Sequence, residues 1–143
     1  MDNLKVRVAG VIKEGNKVLT MRYNYGGVDV FALPGGNLEF GEELKEALKR
    51  EFFEELQIEI EVGEELLTAE VIRENEQTLH QVYDCRIIKG EPTLNPQETS
   101  SLEVCWLDLD KIDEYNLYPN INIYLGKRNL ADNYVGVIEQ KWF

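Results

Sequence analysis

Three glutamates and an arginine crowd into six residues, Arg50-Glu51-Phe52-Phe53-Glu54-Glu55. The surrounding stretch, Glu42 to Leu56, holds no glycine, proline or β-branched residue and predicts a helix of about four turns. Each helical residue advances by about 100°, which gathers Leu44, Ala47, Leu48 and Phe52 on one apolar face. Glu51 and Glu55 fall on that same face, one turn apart, with Glu54 on its flank beside Arg50. Like charges at i and i+4 destabilise a helix even in solvent, and burial beside Leu48 and Phe52 makes the pairing worse. Protonation of one carboxyl or a cation between the two removes the penalty. Carboxylates offer only oxygen ligands, which suits a hard ion such as Mg²⁺ or Mn²⁺. A solvated acidic face is the other reading of the same residues.

The chain carries a formal charge of −12, and residues 39–65 contain eleven Glu and three basic residues, a net of −8. A phosphate-bearing substrate would be repelled by such a surface unless divalent cations bridged the two. The overall charge argues against a nucleic-acid polymer as partner, because such partners select a basic face. Just before the helix, Leu33-Pro34-Gly35-Gly36-Asn37-Leu38-Glu39-Phe40-Gly41 places three glycines where backbone can approach a ligand closely. A loop leading into a helix N-terminus favours phosphate, although an ordinary turn has the same composition.

These residues must be positioned by elements read from pattern. Strands are expected at Val6–Ile12, Lys17–Tyr23, Val28–Leu33, Ile58–Val62, Leu66–Arg73, Leu79–Ile88 and Val104–Leu107. Glu14-Gly15-Asn16 reads as a hairpin turn. Short helices are expected at Asp108–Tyr115 and Asn120–Leu130, the second with Asn120 as N-cap. Strands with interspersed helices make a mixed α/β domain, and without linker or repeat the 143 residues read as one domain. No apolar run is long enough for a bilayer, and Met1-Asp2-Asn3-Leu4-Lys5 has no export signal. With Cys85 and Cys105 lacking disulfide or zinc spacing, a cytoplasmic protein with reduced thiols and no membrane partner is expected.

Taken together, Gly36, Glu42 and the run Arg50 to Ile58 resemble the Nudix box, Gly-x5-Glu-x7-Arg-Glu-U-x-Glu-Glu-x-Gly-U, where U is bulky and apolar. The match covers residues 36–58, and the chain is similar to small MutT-like members of the Nudix hydrolase family. It departs at Gln57, where the family has glycine. That position follows the helix in the left-handed conformation, which a non-glycine residue adopts at about 1 kcal/mol.

The resemblance implies an α/β/α sandwich with a mixed central sheet. It also implies metal-dependent hydrolysis of the diphosphate of a nucleoside diphosphate linked to another moiety. Glu51, Glu54 and Glu55 match the family's metal-binding positions, and the Gly36 carbonyl often completes the metal sphere. Arg50 matches the arginine that orients these carboxylates, and Glu42 the glutamate that helps hold metal or water in some members. The ion is expected to be Mg²⁺ or Mn²⁺. The general base would be Glu51 or a loop glutamate, for which Glu98 and Glu103 are the candidates. Arg22 and Tyr23 end the second strand near the glycine loop with Gly35; Tyr25 and Phe31 can stack on a base and Arg22 can meet a phosphate, although packing or surface roles fit each equally. The proline common in ADP-ribose enzymes is replaced by Arg73, which leaves nucleoside triphosphates and nucleotide sugars. His80, the only histidine, reads as a strand residue. Phe53 faces away from the core, where a second subunit of a homodimer would cover it. A nucleotide-binding sensor without catalysis, on the same fold, is the alternative function.

Overall fold

The computed structural model describes residues 3–125 and 134–141. In chain order the strands are β1 (Asn3–Val11), β2 (Lys13–Glu14), β3 (Lys17–Tyr25), β4 (Val28–Ala32) and β5 (Gly35–Asn37). After helix α1 (Leu44–Leu56) come β6 (Glu59–Ile72), β7 (Glu76–Lys89), β8 (Glu103–Asp108) and a 3-10 helix (Leu109–Glu114). Strand β9 (Leu117–Tyr118), the short helix α2 (Asn122–Leu125) and β10 (Tyr134–Val137) follow. One sheet has the order β10-β6-β7-β1-β5; the other runs β2-β3-β4-β9, with β8 on the free side of β3. Parallel pairs, β1 with β7 and β6 with β10, stand beside antiparallel ones, so the sheets are mixed as expected.

Alternation along the strands divides the core in two. Val8 of β1 and Ile12 just after it, with Leu19 and Met21 of β3, pack against Ala47, Leu48, Phe52 and Leu56 of α1. Ala9, Val11 and Val18 point the other way and meet Ile112 of the 3-10 helix and Ile121 and Leu125 around α2. The result is the expected sandwich, helix on one side, β layer in the middle, short helices on the other. Phe52 sits at the centre of the first core, fully buried. Its ring occupies the space above Gly10, where a Cβ would lie 2.8 Å from it.

Several expected elements come out differently. The helix starts at Leu44 instead of Glu42, with Glu43 extended as its N-cap. Ile58–Val62 and Leu66–Arg73 are one strand, β6, because pairing with β7 continues past Gly63 through register shifts between Val62 and Leu67. Gly63 marks this bulge instead of a turn; a Cβ there would stand 3.0 Å from the Asp84 carbonyl oxygen. The glycine segment is not an open loop, since Gly35 and Gly36 pair with Ala9 and Val8 as strand β5. Asp108–Tyr115 forms the 3-10 helix, whose N-cap Asp108 accepts from the Asp110 N–H. Asn120 does not cap α2: its backbone N–H donates to Gln140 Oε1 and its side-chain amide to the Glu139 carbonyl, and α2 begins at Asn122. The remainder of the helix expected at Asn120–Leu130 lies outside the described residues from 126 on. Among the described residues no helix is long and apolar enough to cross a membrane.

The two neighbouring phenylalanines test this packing. Phe52→Ala is expected to lower unfolding stability by about 3–5 kcal/mol, whereas Phe53→Ala, at a side chain 61% exposed, should change it by under about 1 kcal/mol. Equal losses in a denaturant titration would contradict the assignment of the helix faces.

Candidate active site

Helix α1 rests its apolar stripe on β1, so the turn carrying Arg50, Glu51, Glu54 and Glu55 lies over the β5 edge. Arg50 is the hub. Its Nε and Nη2 donate to the two oxygens of Glu42 at 2.7 and 2.9 Å, a bidentate pair. Its Nη1 reaches Glu54 Oε2 and Glu51 Oε1, each at 3.1 Å. Glu42 also accepts from the Glu39 N–H at 3.0 Å. Arg50 and that N–H hold the Glu42 carboxyl below the usual range.

Glu51 and Glu55 are less comfortable. Burial pushes both carboxyls up. Arg50 opposes the shift at Glu51. At Glu55 the neighbouring Glu51 charge adds to burial, and its pKa rises to about 7. Gly36 is what lets Glu51 sit there: a Cβ on residue 36 would fall 2.5 and 2.6 Å from the two Glu51 oxygens. Among the described residues no three acidic, histidine or cysteine side chains are gathered into a cation cage, and Arg50 holds Glu51 and Glu54 as ion-pair partners. The donor set is nevertheless all hard oxygen, with a crowded carboxylate seated against backbone at Gly36. These residues fit a divalent cation.

Beside this cluster a cavity of about 480 Å³ opens between the two sheets. Arg7 of β1, Tyr23 and Tyr25 of β3, Tyr118 of β9, Gly36 and Arg73 line it. Arg7 is the unusual member, a strand arginine only 8% exposed. Its Nη2 donates to the Leu33 carbonyl at 2.9 Å, and its guanidinium lies 4.9 Å from the Tyr118 ring centroid. Burial lowers its pKa, while the charges of Glu55 and Glu51 act to raise it, so acidic and basic walls face one another across the site.

A model of the NUDIX domain matches residues 3–125. The chain belongs to the NUDIX family. Among solved structures, it is 26% identical to a MutT NUDIX hydrolase from Burkholderia pseudomallei, covering 75% of this chain and 84% of that one at a TM-score of 0.65. With a MutT protein from Methanosarcina mazei Go1 the identity is 23%, the coverage 86% and 91%, and the TM-score 0.72. A UDP-X diphosphatase is 25% identical over 74% of this chain and 51% of its own, at a TM-score of 0.63. The chain is accordingly an enzyme of the hydrolase class. Members of the family generally use divalent metal ions.

Within the NUDIX frame the sequence-predicted residues divide by strand face. Gly36, Arg50, Glu51, Glu54 and Glu55 are brought together, and Tyr23 and Gly35 line the adjoining cavity. Arg22, Phe31 and Glu103 are not among them. They are cross-strand neighbours on β3, β4 and β8, turned to the opposite face of their sheet. There Arg22 pairs with Asp29 at 3.2 Å and Glu103 at 3.8 Å, and Phe31 packs edge-on to Tyr115. Glu98 lies in the turn after Asn95, whose N–H bonds the Glu55 carbonyl at 3.0 Å, and its charge acts to raise the Glu55 pKa. His80 is a strand residue, 1% exposed and edge-on to Tyr118; burial lowers its pKa to about 3, so the ring stays neutral. Arg7, Arg73 and Tyr118 were missed as lining residues. The alternation Lys5-Val6-Arg7-Val8, basic on one strand face and apolar on the other, was the available signal.

The raised Glu55 pKa has a signed consequence. A carboxyl whose folded value is about 7, against an ordinary 4.5, favours folding below 4.5 and loses that contribution as pH rises to 7. In EDTA, Glu55→Gln should therefore melt higher than wild type at pH 8, by about 1–2 kcal/mol after allowing for solvent screening, and equally at pH 4. A pH-independent difference would contradict the crowding of Glu55.

Proposed function

We propose that this chain is a divalent-metal-dependent pyrophosphohydrolase of nucleoside triphosphates or nucleotide sugars, acting in the cytoplasm as a single NUDIX domain. The observation that carries the reading is one turn of α1 whose carboxylates, crowded against Gly36 and organised by Arg50, open onto a cavity lined by Arg7 and tyrosines. Glu51, Glu54, Glu55 and the Gly36 carbonyl would hold Mg²⁺ or Mn²⁺. Bound there, a divalent ion neutralises charge on the diphosphate oxygens and lowers the pKa of water.

The chain's own residues supply the remainder. Arg50 orients Glu51 and Glu54 through its two 3.1 Å contacts, anchored by its bidentate grip on Glu42. Glu98, in the turn tied to the end of α1, accepts the proton of the attacking water, a role Glu51 can also fill. Glu103 is engaged with Arg22 on the far face and is set aside as base. Arg7 and Arg73 attract the anionic substrate into the cavity, and Tyr23, Tyr25 or Tyr118 offers a ring to the base or sugar. The 25% identical neighbour named UDP-X diphosphatase supports nucleotide sugars, and the MutT neighbour at 26% supports triphosphates. Both cysteines are free, as suits a reducing compartment. A homodimer through Phe53, 61% exposed, remains part of the proposal.

The alternative, a sensor without catalysis, is separated by turnover. Phosphate-containing products should appear from at least one of the eight common nucleoside triphosphates or UDP-glucose when Mg²⁺ is added. EDTA should abolish them, and Glu54→Gln should lower kcat/KM by more than about 100-fold. Nucleotide binding without turnover favours the sensor; activity undiminished by EDTA and Glu54→Gln rejects the mechanism.

A further inference from the structure

Among the described residues Gln57 is the only non-glycine with a positive φ, at 59° with ψ 35°. This is the left-handed turn expected after the helix, where a non-glycine residue carries a cost of about 1 kcal/mol. The side chain has an occupation that glycine lacks. Its Nε2 donates to the Thr93 carbonyl at 3.2 Å and to the Leu94 carbonyl at 3.3 Å.

Those bonds complete a two-way clamp. The last carbonyls of α1 have no helical partner of their own. Leu56 accepts from the Thr93 N–H at 2.9 Å and Glu55 from the Asn95 N–H at 3.0 Å. Helix carbonyls thus take the segment's N–H groups while Gln57 supplies donors to the segment's carbonyls. Leu94 packs between them onto the core beneath α1. Beyond the clamp the chain turns sharply: the Asn95 carbonyl accepts from Glu98 and Thr99, and its side chain from Gln97. That turn carries Glu98 one hydrogen-bonded turn from Asn95, whose N–H is tied to the Glu55 carbonyl, and ends with Thr99 Oγ1 3.2 Å from the hydroxyl of Tyr23, a cavity residue.

We propose that Gln57 is a positioning residue for hydrolysis, its amide fixing residues 93–95 on the end of α1 so that the turn behind them sets where Glu98 stands relative to that end of the helix. The inference rests on the hydrolase reading above. An outlying backbone conformation, retained where its side chain ties down the segment bearing the candidate base, is what such a role requires. Gln57 touches neither substrate nor ion; it acts through the segment it holds.

Three variants separate this role from plain stability. Gln57→Gly keeps the left-handed turn without strain, Gln57→Met keeps length without a donor, and Gln57→Lys restores a donor of sufficient reach. With Mg²⁺ and the fastest substrate among the eight triphosphates and UDP-glucose, Gly and Met should lower kcat at least about tenfold with KM within about twofold. Gln57→Gly should melt no lower than wild type, and Lys should recover most of the lost kcat. Amide exchange at residues 95–99 should speed up in Gly and Met and return in Lys. Full activity and unchanged exchange in Gly and Met would overturn the role of Gln57 while leaving the hydrolase standing. So would a loss confined to KM, one that tracks melting temperature, or a failure of Lys to rescue. Wild-type inactivity on every substrate would sink the hydrolase reading and this inference together.

Discussion

Placing two carboxylates one turn apart on the buried face of a helix is unfavourable, and the architecture around α1 is organised to sustain it. Glu51 is 13% exposed in its side chain, between Leu48 and Phe52 in sequence and over Gly36 in space. Arg50 offsets part of the charge, and Glu42 fixes Arg50 by gripping it with both oxygens. Glu55 has less relief, since burial and Glu51 act on it in the same direction and the charge of Arg7 opposes them only in part. A fold that only needed a core helix would place leucine at both positions. The stored repulsion makes chemical sense as an affinity for a divalent cation, released when one arrives.

The β layer supplies the other half of the site. Strand β5 pairs with β1 and so brings Gly36 under the helix, while the next residues of β1 turn Arg7 into the cavity beside the cluster. Acidic wall and basic floor are therefore set by neighbouring strands of one sheet. On the proposed reading a substrate diphosphate would use both: positive charge to draw it inward, and carboxylates to hold an ion that neutralises it.

Much of the α1 side was legible in the amino-acid sequence because its information is local. Periodicity located the helix, and motif spacing located Gly36, the glutamates and the left-handed turn at Gln57. The cavity side was not, because its residues meet only through pairing. Arg22 and Tyr23 are adjacent in sequence, yet strand alternation sends one to Asp29 and the other into the cavity. Phe31 and Glu103 follow Arg22 by register. Arg7 finds Leu33 and Tyr118 only once the sheets are assembled. The function of the Gln57 side chain was hidden for the same reason: its acceptors, Thr93 and Leu94, lie far along the chain. Ile58–Val62 and Leu66–Arg73 read as two strands because the apolar pattern breaks between them, whereas long pairing with β7 carries the strand through Gly63 as a bulge.

The most direct measurement is manganese binding, followed by the electron-spin-resonance signal of the free ion and located by anomalous scattering from soaked crystals. The account calls for Mn²⁺ density among Glu51, Glu54, Glu55 and the Gly36 carbonyl. It also calls for affinity weakened more than about tenfold in Gly36→Ala, whose methyl group displaces the Glu51 carboxylate. Manganese held elsewhere on the chain, or bound equally well by Gly36→Ala, would contradict it.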